Sequence, residues 1–214
     1  MHVLITGANR GIGAQLASDF RARGDEVTGT SRSGEIGLQM DVTDPMSVAG
    51  AARALGGKAV DLLVCNAGVY LDRGHQIGAG YDAPLWGQTF AANVTGVFLT
   101  IEAFLPNLKA AQNGRIAIIS SQMASSQNAP GGSYMYRASK AAALNLGRNL
   151  AQDLHADGLA VGIYHPGWVR TDMGGSVADI DVETACRGLV AQLDKLDLAT
   201  TGIFTDYKGE PIPY

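Results

Sequence analysis

Short apolar runs rich in β-branched residues alternate in this chain with longer Ala- and Leu-rich segments, and that alternation constrains the fold more than any other feature. The runs "HVLIT" (2–6), "EVTGTS" (26–31), "DLLVCNA" (61–67), "RIAIIS" (115–120) and "AVGIYHP" (160–166) read as strands. They are too continuously apolar for a half-exposed sheet and suit parallel strands covered on both faces. Helical spacing fills 12–23, 45–56, 84–110, 136–156 and 182–193, with Pro45 and Pro84 where a first helical turn tolerates proline. Strand then helix, repeated, predicts a doubly wound α/β fold: a mostly parallel sheet with right-handed crossovers and helices on both faces. The piece "SRSGEIGLQM" after the second strand is too short for a full helix and reads as a loop before a short strand near Gln39–Val42. No internal repeat, low-complexity tract or Pro/Ser-rich linker divides the 214 residues, so one domain spanning 1–214 is expected.

Composition narrows the function classes. Hydrophobic residues at 46% and charged residues at 17% give the balance of a folded globule, not of a disordered chain. A net charge of −4 argues against a nucleic-acid partner, which would call for a basic surface. No basic leader precedes the first apolar run, and no apolar stretch approaches the roughly 20 residues of a bilayer span. A cytoplasmic protein without a membrane partner is therefore expected. Cys65 and Cys186 stand apart from each other and from His2, His75, His155 and His165. That spacing suggests two packed thiols, with neither a metal site nor a disulfide framework.

The segment "TGANRGIG" (6–13) follows the first strand directly. Gly7, Gly11 and Gly13 fall where the chain must turn from strand into helix. Glycine permits positive φ there, and its missing side chain lets backbone N–H groups approach a pyrophosphate at the helix N-terminus. The spacing is G-x-x-x-G-x-G, so its position in a strand–turn–helix unit carries more weight than the glycines alone. A Rossmann-type dinucleotide fold is the expectation. A tight turn without a ligand is the alternative.

Which dinucleotide should be written at the end of the second strand. An unphosphorylated ribose is typically marked by Asp or Glu about 20 residues past the turn. Here stand Ser31 and Arg32, with no carboxylate at either place. A hydroxyl and a guanidinium can hold a 2′-phosphate that a carboxylate would repel. Arg10, inside the glycine turn, could add a second positive charge. The pair favours NADP(H) over NAD(H), although arginines facing water are common.

In "YRASK" (136–140) a tyrosine precedes a lysine by one helical turn, which puts both side chains on one face. Alone, that spacing fits many solvated helices. It gains meaning from its company. "TGANRGIG" (6–13), "DVTD" (41–44), "NAG" (66–68), "NVTG" (93–96), "ISS" (119–121), "YRASK" (136–140) and "HPGWVRT" (165–171) occur in this order along nearly the whole chain. Together they resemble a classical short-chain dehydrogenase/reductase. "GWVRTDMGG" and the closing "YKGEPIPY" are similar to the small carbonyl-reductase branch that includes the sniffer and C-factor proteins.

The resemblance implies a catalytic set of Asn93, Ser121, Tyr136 and Lys140. Tyr136 would give the proton to a substrate carbonyl, with Lys140 as its partner and a contact to the cofactor ribose. A free tyrosine titrates near pH ~10, and a nearby ammonium is expected to lower that value. Ser121, rather than Ser120, would hydrogen-bond the substrate oxygen as charge develops there. Asn93 would disrupt its helix and hold a water between Lys140 and solvent; an ordinary capping or core asparagine is the alternative.

The cofactor would be seated by Gly7, Asn9, Arg10, Gly11, Ile12 and Gly13 in the turn, and by Ser31 and Arg32 at the second strand. Asp41 and Val42 would flank the adenine, and Asn66, Ala67 and Gly68 would line the path to the ribose. Pro166 and Gly167 would turn the chain under the nicotinamide, leaving the backbone near Val169 and the Thr171 hydroxyl for its carboxamide and the phosphates.

Two departures stand out. Ala124 replaces a glycine often found three residues after the catalytic serine, and the following "SSQNAPGGSYM" reads as a flexible substrate-site loop in which Tyr134 shapes the pocket or packs. The lid, Asp172 to Glu183, is short and offers few bulky groups. The expected activity is reduction of an aldehyde, ketone or quinone with NADPH, or the reverse. A catalytically silent dinucleotide-binding regulator is the rival, and an interaction module pairing through 84–110 and 136–156 a third possibility. A homodimer or homotetramer is expected.

Overall fold

The computed structural model describes residues 1–214. Seven strands form one sheet in the order β3-β2-β1-β4-β5-β6-β7, and every neighbouring pair is parallel. They are β1 (His2–Thr6), β2 (Glu26–Ser31), β3 (Gly37–Gln39), β4 (Leu62–Cys65), β5 (Arg115–Ile119), β6 (Ala160–His165) and β7 (Phe204–Asp206). The helices are α1 (Gly11–Ala22), α2 (Pro45–Leu55), α3 (Ala83–Phe90), α4 (Gly96–Lys109), α5 (Tyr134–Asp153) and α6 (Val182–Asp194). From β1 the chain steps outward to β3, then crosses back to β4 on the other side. That reversal opens a crevice at the carboxyl ends of β1 and β4, where ligands of open parallel sheets bind.

Side chains alternate between the two faces with the period of two that a strand imposes. Leu4, Leu63, Ile116, Ile118, Val161 and Ile163 point toward α2, α4 and α5, where Val48, Ile101, Phe104 and Leu144 meet them. Val3, Ile5, Leu62, Val64, Ala117 and Tyr164 point the other way, onto Leu16 and Phe20 of α1 and Leu189 and Leu193 of α6. Cys65 lies in the first core and Cys186 in the second. Burial pushes each thiol up to about 12, so both stay protonated and unreactive.

Four features differ from the sequence expectation. The third strand ends at Gln39: the N–H of Met40 makes the last ladder bond, to the Ser31 carbonyl (2.8 Å), and that of Asp41 leaves the sheet for the Ser47 hydroxyl (2.9 Å). β7 was not anticipated; three residues between turns carry no periodic signal. The helix expected over 84–110 is two α-helices joined through a π-helical turn at Ala91–Thr95. Finally, Ala83–Lys109 is a 27-residue helical stretch containing an 18-residue window of mean hydropathy 1.3, long and apolar enough to cross a bilayer by length and composition. Here Val97, Ile101, Phe104 and Leu108 of that stretch are buried on the sheet.

Candidate active site

The crevice begins at the glycine turn between β1 and α1. Gly7 and Gly11 adopt φ of +64° and +53°, where a side chain would be strained. Gly13 serves packing: a Cβ there would lie 2.3 Å from the Gly7 carbonyl oxygen and 2.5 Å from Asn66 Nδ2. Asn66 stitches the turn together by donating from Nδ2 to the carbonyls of Thr6 (2.9 Å) and Gly7 (3.2 Å). The Thr6 hydroxyl in turn accepts the N–H groups of Asn66 (3.0 Å) and Ala67 (2.9 Å). α1 starts with no side-chain cap and no acidic residue in its first turn. Its free N–H groups and positive end are therefore offered to an anion.

A cleft of about 790 Å³ runs from this turn toward α5. Sixteen residues anticipated from the sequence line it: Gly7, Asn9, Arg10, Gly11, Ile12, Ser31, Arg32, Asp41, Val42, Asn66, Ala67, Gly68, Tyr136, Lys140, Pro166 and Thr171. Gly13, Asn93, Ser121, Gly167 and Val169 are not among its walls. Val169 is buried and bridges to Ile180, and Gly167 (φ +91°) packs beneath against Ile180 and Tyr207. The Thr171 hydroxyl is engaged within its own loop, accepting from the N–H of Gly174 (3.1 Å).

At the outer end Ser31 Oγ accepts the N–H of Gly34 (3.1 Å) and shares a hydrogen bond with Ser33 Oγ (3.2 Å), which donates to Glu35 (2.7 Å). Arg32 is exposed and makes no ion pair. Arg10 is not free: it pairs with Asp172 of the lid at 2.9 Å, with both side chains open to water. Asp41 accepts the Thr43 hydroxyl (2.7 Å) and N–H (2.9 Å), and these bonds hold its carboxyl below the usual range. Nothing in the sequence pointed to the lid's moorings. Arg73 donates to the carbonyls of Met173 (3.0 Å) and Gly174 (3.2 Å), and Trp168 Nε1 to Gly174 (2.9 Å).

At the inner end α5 brings Tyr136 and Lys140 onto one buried face. Lys140 Nζ donates to the Ile119 carbonyl (2.8 Å) and lies 5.7 Å from the Tyr136 ring centroid. Burial pushes the Tyr136 phenol up to about 12, against the opposing Ser121 hydroxyl, and takes Lys140 down to about 8. The neighbouring Tyr70 adds to the rise at the phenol, and the Lys140 ammonium is turned to a backbone carbonyl.

The two serines separate clearly. Ser120 Oγ donates to the Lys140 carbonyl (3.1 Å) and ties β5 to α5, whereas Ser121 Oγ accepts only the N–H of Met123 (3.1 Å) and retains its proton. Asn93 lies in the π-helical turn with its amide fully engaged: Oδ1 accepts from Val69 N (2.8 Å), and Nδ2 donates to Val69 O (2.9 Å) and Ser139 Oγ (2.9 Å). Tyr134 faces outward, edge-on to Tyr81 at 5.4 Å. Ala124 is buried in the short 3-10 turn that follows Ser121.

A family model described as short chain dehydrogenase matches residues 1–181. This chain belongs to the short-chain dehydrogenase family. Among members of that family, the "C-signal" protein of Myxococcus xanthus is 37% identical over 157 residues, covering 72% of this chain and 93% of its own. An NADPH-bound carbonyl reductase from chicken fatty liver superposes with a TM-score of 0.91 at 29% identity, over 100% of this chain and 98% of its own. The carbonyl reductase Sniffer of D. melanogaster superposes with a TM-score of 0.92 at 28% identity, over 100% and 99%. The family's oxidoreductase chemistry needs a nicotinamide dinucleotide. The uncapped start of α1, the positive-φ glycines Gly7 and Gly11 of the turn and the cleft of about 790 Å³ fit that group.

Proposed function

We propose that this short-chain dehydrogenase is an NADPH-dependent carbonyl reductase acting on an aldehyde, ketone or quinone. The observation that carries the reading is the pairing of Tyr136 and Lys140, buried together at the inner end of the cleft with Ser121 alongside. When bound, the dinucleotide supplies the hydride.

The chain's own residues do the rest. The N–H groups at the start of α1 hold the pyrophosphate, while Ser31 and Arg32 take the 2′-phosphate. Arg32 is the unpaired cation there; Arg10 must first leave Asp172. A phenol held at about 12 carries its proton at physiological pH but gives it up reluctantly, so donation to a carbonyl oxygen needs the phenolate stabilised from beside it. Lys140, at about 8, keeps its charge near neutrality and stands beside the phenolate that proton donation leaves. Ser121 directs its hydroxyl hydrogen to the substrate oxygen as negative charge grows there. Asn93 braces the segment around Val69 and Ser139, and its main chain would hold the water leading to Lys140. A homodimer or homotetramer formed through α4 and α5 belongs to the same proposal, with Phe98, 41% exposed on α4, available to such a contact.

Likeness to a protein named C-signal supports a second reading, a dinucleotide-binding signal without turnover. One experiment separates the two. The purified protein is incubated with NADPH or NADH and a panel of aldehydes, ketones and quinones, beside Tyr136→Phe. The reductase reading expects NADPH consumption that falls by about 10²–10⁴-fold in the variant. NADPH binding with no turnover, the same in both proteins, leaves the signalling reading standing.

A further inference from the structure

The helix that carries Tyr136 is capped in an unusual way. Its own cap residue, Ser133, has φ 49° and ψ 44°, the single non-glycine residue with positive φ in the chain, and makes no side-chain cap bond. Such backbone strain persists only where surrounding structure holds it in place. Two groups from the loop after β4 do so here. The Tyr70 hydroxyl is hydrogen-bonded to Ser133 Oγ. Asp72, fully buried, accepts the N–H of Met135 at 2.8 Å through one oxygen and that of Tyr136 at 3.3 Å through the other.

Asp72 has no arginine, lysine or histidine in ion-pair contact. A buried polar side chain is kept in a fold by the hydrogen bonds it makes, and these two N–H groups at the start of α5 are what Asp72 has. A serine or asparagine at position 133 in ordinary cap geometry would satisfy the same N–H groups from the helix's own sequence. Capping alone therefore does not explain Asp72. Its contacts do: one of the two N–H groups it binds is that of Tyr136 itself.

The same loop meets Tyr136 elsewhere. The Tyr70 ring stacks on the Tyr136 ring, with centroids 4.2 Å apart and planes inclined by 21°. Asn93 grips both backbone groups of Val69 and donates to Ser139 Oγ, which donates to the Tyr136 carbonyl at 2.8 Å. Tyr136 is thus fixed at its N–H, its ring face and its carbonyl by one closed circuit through residues 69–72.

We propose that Asp72 is a positioning residue for Tyr136, a cap supplied from the loop after β4 that fixes where the phenol stands relative to Lys140 and Ser121. This rests on the reading of Tyr136 as the proton donor. Asp72 touches no reacting atom and acts through the backbone of the residue that does.

The test is a double-mutant cycle on the full-length protein, with NADPH and a carbonyl compound that the wild type turns over. Tyr136→Phe, Asp72→Ala, Asp72→Asn and the two double variants are compared for kcat, KM and the NADPH dissociation constant. Asp72→Ala should lower kcat about a hundredfold, the loss that a misplacement of about 1 Å brings, with NADPH affinity within about twofold of wild type. Asp72→Asn keeps one acceptor oxygen and should recover about tenfold of that loss. In the Tyr136→Phe background both substitutions should add almost nothing, since their route of action is already gone. Where Asp72→Ala does not fold, Asp72→Asn runs the same cycle. Equal losses in both backgrounds, an unchanged kcat, or a parallel loss of NADPH affinity would overturn the proposal while leaving Tyr136 as donor. Wild-type turnover by Tyr136→Phe would instead sink the underlying reading, and the proposal with it.

Discussion

Burial moves Tyr136 and Lys140 in opposite senses, and both shifts come from the same cause: neither side chain reaches enough water to carry charge cheaply. The result is an acid that keeps its proton and a cation close to its own titration. Arg32 is the contrasting case, an exposed guanidinium with no partner, aimed at the end of the cleft where a ribose phosphate would sit. Arg32→Asp is expected to weaken NADPH binding by about tenfold or more, roughly 1.4 kcal/mol, and to shift the NADPH:NADH affinity ratio toward NADH. Fluorescence titration of both dinucleotides measures it, and an unchanged ratio would move recognition to Arg10. The sequence could place Arg10 in the turn, but not its pairing with Asp172, which depends on a lid arriving from more than 160 positions downstream.

Among the elements, α1 and the turn before it tolerate the least change. Gly13→Ala would set a methyl group against the Gly7 carbonyl at 2.3 Å, a backbone contact that no rotamer relieves. We expect a loss of about 1–3 kcal/mol in stability by denaturant titration, and with it a markedly raised NADPH dissociation constant. A variant of wild-type stability would show that α1 can slide outward freely. These elements were also the ones legible from residues alone. The long apolar strands announced themselves through β-branched runs, and the glycine turn through its place directly after β1. The short edge strands β3 and β7 were misplaced or missed, because three residues cannot display a period. The π-helical turn at Ala91–Thr95 was legible only through the resemblance, which made Asn93 a helix-disrupting residue; the spacing of apolar residues in "AANVT" gives no sign of it. Asp72 was invisible for a different reason: its partners lie on an element more than 60 residues away, and only folding brings them together.

At the scale of the molecule the sheet is bounded by titration. His165, at the end of β6 beside Asp206, is buried with Nδ1 unpartnered, and burial lowers its pKa from 6.5 to about 4 although the Asp206 carboxylate opposes this. An unfolded chain takes up that proton near pH 6.5 while the folded one resists until about 4, so stability is lost as pH falls through that window. The contribution is on the order of 3 kcal/mol when complete. Melting temperatures measured between pH 7 and 4 should drop steeply for the wild type and less steeply for His165→Asn; parallel slopes would assign the acid sensitivity elsewhere.

The order of the strands carries a consequence for how the protein is made. β1 must wait for β4 before its second edge is covered, and the walls of the cleft draw on residues from Gly7 to Val182. A nascent chain leaving the ribosome therefore displays its glycine turn early, while the complete cleft forms only once the segment reaching Val182 has emerged.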